Sequence, residues 1–108
     1  MLVAAHVDAM NRSVRCTVVA GDKLPLVVGG TAALCSEVER AIATLAPGVS
    51  YTAEITVLSP SRLSAMLVVN GRTLPAQKLA IMDRELSRSA IARFAHSLAA
   101  EVAKTAKS

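Results

Sequence analysis

The sequence predicts a two-layer α/β sandwich in the order β-α-β-β-β-α, with a four-stranded sheet covered on one face by two helices. Three observations predict it. Apolar and polar residues alternate along 14–20, 49–58 and 63–69, the period of a half-buried strand. Apolar residues recur at helical spacing along 31–46 and 87–106. Turn residues separate these segments, most clearly Ser59-Pro60-Ser61 and Asn70-Gly71. A chain of 108 residues, 53% apolar and 19% charged, is long enough for one core and excludes a disordered or collagen-like polymer. The single domain is placed over 14–106, after an N-terminal extension over 1–13.

The first strand turns Val14, Cys16, Val18 and Ala20 to one face. Gly21-Asp22 ends it, and 24–28 is expected to be a short extended piece interrupted by Pro25. Thr31 is expected to cap the first helix, whose stripe is Leu34, Val38, Ala41, Ile42 and Leu45; Pro47-Gly48 stops it. In the next strand Val49, Tyr51, Ala53, Ile55 and Val57 point inward. An odd loop after Leu58 pairs Val57 with Leu63, Ile55 with Ala65, Ala53 with Leu67 and Tyr51 with Val69; an even loop would set Glu54 against Leu67. Asn70-Gly71 supplies the two positive-φ residues of a type I′ turn, which brings Leu67 opposite Leu74 and Ala65 opposite Ala76. Ser87 caps the last helix, with Ile91, Phe94, Ala95, Leu98 and Val102 buried. A parallel βαβ crossover between the first two strands completes the expectation.

Charge is uneven along the chain. Residues 1–59 hold four basic and five acidic side chains, whereas 60–108 hold eight and three, so the second half carries the net charge of +4. Dispersed over a hairpin and a helix, such charges are commonly a solvated surface. The longest uncharged stretches are broken by Gly or Pro and fall short of the roughly 18 residues that span a bilayer, so no transmembrane segment is expected. The N-terminus lacks a basic start and a long apolar core, but Val7 and Ala9 have the spacing of a signal-cleavage site. Residues 1–13 therefore read either as the remnant of a signal peptide or as a plain extension.

Motifs for chemistry are sparse. Cys16 and Cys35 both fall on core-facing positions, one on a strand and one on the helix packed over it. They read either as a disulfide or as two reduced, buried cysteines. No C-x-x-C pair or His at ligand spacing marks a metal site, and neither His6 nor His96 is placed beside a nucleophile. Asp83 and Glu85 precede the last helix, where acids are favoured electrostatically. Gly29-Gly30 matches no phosphate-binding fingerprint, so no cofactor is expected. Arg62, Arg72, Lys78, Arg84 and Arg88 form a phosphate-facing set without the aromatic platform of an RNA-binding sheet, so nucleic acid is not the expected partner.

Met66, Val68, Leu79 and Ile81 are more informative, being apolar where the alternation predicts solvent. Pro75, which cannot donate to a ladder, points to an edge strand. A contiguous apolar surface on an edge hairpin marks a protein partner or a second subunit, so the hairpin over 63–82 is the expected interface. The competing reading is a bulge at Pro75 that swaps the faces and buries Leu79 and Ile81 beneath the last helix.

The closing run Ala92-Arg93-Phe94-Ala95-His96-Ser97-Leu98-Ala99-Ala100-Glu101-Val102, after a hairpin, resembles the end of the TolB amino-terminal domain family of the periplasmic Tol-Pal envelope system. The similarity covers roughly the last twenty residues; the middle of the chain does not match. It implies a periplasmic or exported module that works by protein contact. The residues and the resemblance together lead to the expectation of a non-enzymatic interaction or assembly module, the alternative being a cytoplasmic, nucleic-acid-associated basic protein.

Overall fold

The computed structural model describes residues 15–82 and 84–107. It is an α+β fold in which a mixed sheet packs against two helices. The strands are β1 (Cys16–Val19), β2 (Tyr51–Ser59), β3 (Arg62–Val69), β4 (Arg72–Thr73) and β5 (Gln77–Ala80); the helices are α1 (Thr31–Leu45) and α2 (Arg88–Lys107). The sheet runs β1-β2-β3-β4, and β5 also pairs with β3. β1 is parallel to β2, as a strand-helix-strand crossover requires, and the other pairs are antiparallel.

Inward side chains of the sheet, among them Ile55, Val57, Leu63, Ala65, Leu67 and Val69, meet Leu34, Val38 and Ile42 of α1 and Ile91, Phe94, Leu98 and Val102 of α2 in one core. That core draws on the 3.6 period of the helices and the two-residue period of the strands at once. The β2–β3 register is the expected one, Tyr51 opposite Val69 through Val57 opposite Leu63. Its turn differs in construction. Ser59 pairs with Arg62 across Pro60-Ser61, and a bulge at Leu58 restores the odd offset. Ser59 Oγ accepts the Ser61 N–H at 3.2 Å and braces that turn.

At the second hairpin Asn70 (φ 51°) and Gly71 (φ 82°) both take positive φ, as a type I′ turn demands. Val69 faces Arg72, and the Leu74 N–H donates to Leu67 O at 2.9 Å, as expected. Past Leu74 the expectation fails. Ala65 pairs with Gln77 instead of Ala76, because Leu74-Pro75-Ala76 inserts one residue and splits the edge into β4 and β5, so that among the described residues five strands replace the expected four. Pro75 has no N–H to pair, and the added residue reverses the faces of everything after it.

Three further details depart from the sequence reading. Residues 24–28 do not extend: Leu26–Val28 is a 3-10 turn that buries Leu24 and Val28. Gly30, with no side-chain bond, takes the N-cap of α1, and Thr31 is its first helical residue. Leu45, assigned to the buried stripe, is 37% exposed. The cap of α2 is as expected, Ser87 Oγ accepting the Ala90 N–H at 3.2 Å. Leu86, just before it, is buried and donates its N–H to Pro60 O at 2.8 Å, tying the entry to α2 onto the β2–β3 turn.

Candidate functional site

Both helices lie on one face of the sheet, so chemistry or recognition by the sheet belongs to the other face or to an edge. Cross-strand rows define the outer face: Thr52 beside Val68 beside Thr73, Thr17 beside Glu54 beside Met66, and Val19 beside Thr56, Ser64 and Lys78. Met66 is 45% exposed and Val19 47% exposed. Val68 is half-buried by its neighbours, and Leu58, at the bulge, is also exposed. Arg62 and Lys78 stand on this face against the single acid Glu54.

Of the four residues expected to form an interface, the structure keeps only Met66 and Val68 together. Leu79 lies opposite Leu63 on the inner face, and Leu79 and Ile81 both pack against the core. Extrapolating the type I′ register past Pro75 placed them outside; the bulge places them inside. Val19 and Leu58 join the outer face unanticipated. The sequence signal for Val19 was present, since it sits at an outward position of the alternating first strand.

Cys16 and Cys35 form a disulfide, with 5.6 Å between Cα atoms, that ties β1 to the second turn of α1. Among the described residues no cysteine is free. The bridge lines a cleft of about 740 Å³ between β1, one side of α1 and the start of β2. Small side chains of α1 line it, Ala32, Ser36 and Ala43 among them. At one end Tyr51 is buried with the Arg15 guanidinium 5.8 Å from its ring centroid. Burial, and after it the Glu39 carboxylate, raises the Tyr51 phenol above its ordinary 10.0, while the charge and hydrogen bond of Arg15 oppose the rise. A Cβ on Gly21 would collide with the Thr31 methyl, so the exit of β1 approaches the start of α1 closely.

Arg62, Arg72, Lys78, Arg84 and Arg88 are exposed, spread over the hairpin and the start of α2. His96 is exposed on α2; His6, Asp83 and the 1–13 extension lie outside the described residues. Among the described residues no three His, Cys, Asp or Glu side chains cluster, and no helix is long and apolar enough to cross a membrane. No protein-family model, curated protein or solved structure matches the chain.

Proposed function

We propose that the chain is a disulfide-stapled, non-enzymatic interaction module that docks a protein partner on the outer face of its sheet, around Met66 and Val68. The observation that carries this reading is the one-sided layering: two helices cover the inner face, and among the described residues nothing covers the outer one. Apolar positions there alternate with Thr52, Glu54, Thr56 and Ser64, a mixture typical of reversible contacts; permanent subunit interfaces are more apolar. Arg62 and Lys78 against Glu54 favour a partner with an acidic rim over a second copy of the same basic face. The Cys16–Cys35 bridge supports an oxidising compartment, and the likeness of 92–102 to the TolB family points to the cell envelope.

A photo-crosslinking side chain placed at Met66 in the producing cell is expected to give a discrete protein adduct, and the same group at exposed His96 none. Adducts absent at 66, or equal at both positions, would overturn the proposal. Nucleic-acid binding that falls steeply with salt and is lost on Arg62→Ala, Arg72→Ala and Lys78→Ala would replace it with the alternative reading.

A further inference from the structure

The two edges of the sheet are built differently. The β4–β5 edge carries the devices that discourage strand pairing: a proline, a bulge and Lys78. β1, the opposite edge, has the sequence Cys-Thr-Val-Val with no proline, bulge or charge. Arg15 O accepts the Ala53 N–H at 2.7 Å. In a parallel ladder this bond assigns the main chain of Arg15, Thr17 and Val19 to β2 and turns the N–H and C=O of Cys16 and Val18 away from it. Cys16 and Val18 both line the 740 Å³ cleft, whose α1 wall carries Ala32, Ser36 and Ala43 together with the charged Glu39 and Arg40. Among the described residues no strand pairs with these groups, which thus open onto a groove in which a second backbone could approach closely.

We propose that this groove binds an extended segment of a partner protein by strand addition to β1, with an acidic side chain of the segment meeting Arg15. Strand addition draws affinity from main-chain hydrogen bonds and selectivity from alternate side chains, and the groove offers both, with small residues facing one side of the incoming strand. Two guanidiniums, Arg15 over the Tyr51 ring and Arg40, line the cleft against one carboxylate, Glu39, and this excess of one positive charge in the lining favours an acidic side chain on the segment. The share of Arg40 is reduced by its ion pair with Glu37 at 3.6 Å. This surface is separate from the outer sheet face, so either proposal can fail without the other.

The test uses the full chain and a phage-displayed library of random nine-residue peptides. Enriched peptides are expected to alternate in polarity, to carry Asp or Glu, and to shift the amide resonances of residues 16–19 and of α1. Val18→Pro removes the N–H that faces away from β2, along with a side chain partly buried against the core; it should weaken the best synthetic peptide at least tenfold. Ser36→Arg, which fills the groove without touching β1, should do the same and keeps the test decisive if the proline variant does not fold. His96→Ala, on the exposed side of α2, should leave the affinity unchanged. The proposal is overturned if no peptide is enriched, if neither groove variant weakens binding, or if the shifts map to Met66 and Val68. It is equally overturned if the free chain shows contacts from its own residues 1–14 to Cys16 and Val18, or a self-association abolished by Val18→Pro.

Discussion

Met66 and Leu67 are chain neighbours of similar volume on one strand, yet Leu67 is 1% exposed and Met66 45%. The two faces of the sheet differ in this way throughout β2 and β3, because successive side chains of a strand point to opposite sides and only one side meets helices. The inner face carries the stability and tolerates little change. The outer face contributes little to folding, which leaves its composition available for recognition.

The largest expected contrast lies within that pair. Leu67→Ala should lower unfolding stability by about 2–5 kcal/mol, as cavity-forming changes in a close-packed core do. Met66→Ala should stay within about 0.5 kcal/mol, like most exposed substitutions. Urea unfolding midpoints of the two variants measure the difference directly. Equal losses would mean that the outer face is covered within the folded monomer, and the division of labour would disappear.

Next comes the bridge that binds the β1 edge to the helix layer. Reduction, or the double change Cys16→Ser and Cys35→Ser, is expected to cost about 3 kcal/mol by the chain-entropy estimate for a loop of this length. Thermal melts with and without reductant read the loss. Protein taken from an oxidising compartment and unfolded without reductant should titrate no thiol.

The bulge supplies the sharpest test of which residues belong to which face. Ile81→Lys should destabilise by about 1–3 kcal/mol, because it sets an ammonium against the core. Val68→Lys should cost less than about 1 kcal/mol, since a long side chain on the outer face carries its charge into water. The reverse order in chemical denaturation would return Ile81 to the surface and remove the register shift at Pro75.

The smallest effect is confined to alkaline pH. Tyr51 is the chain's one tyrosine and there is no tryptophan, so tyrosinate absorbance reports this side chain alone. Its phenol titrates higher in the folded than in the unfolded state, so above the unfolded value the folded state holds the extra proton. The associated stability is therefore full below pH 10 and declines as pH rises through the folded pKa. A folded-state titration at or below the ordinary value of 10.0 would contradict the burial of Tyr51.

Recognition through the hairpin was legible only in part, and the reason is local. Met66 and Val68 follow from alternation within one strand, whose register against β2 is constrained by several apolar pairs. Leu79 and Ile81 depend on how the chain crosses Leu74-Pro75-Ala76. A proline there permits a bulge without specifying its size, and one residue more or less exchanges the faces. What selects the observed form is nonlocal: with the extra residue Leu79 and Ile81 reach the core, whereas without it they would remain in water. Leu86 escaped notice for a similar reason, since a lone leucine in a connecting segment belongs to no periodic pattern until the β2–β3 turn lies beside it.

By itself the sequence determined the two helices, the inward faces of β1, β2 and β3, the β2–β3 register, the Asn70-Gly71 turn and the Ser87 cap. All of these are written in side-chain periodicity and backbone preference over a few neighbouring residues. The tertiary structure alone decided that Cys16 and Cys35 are bonded, that the edge strand breaks at Pro75, and that a cleft opens between β1 and α1. Each of these depends on the distance between elements remote in the chain. Local propensity carries no information about such distances; packing of the two helices on the sheet sets them.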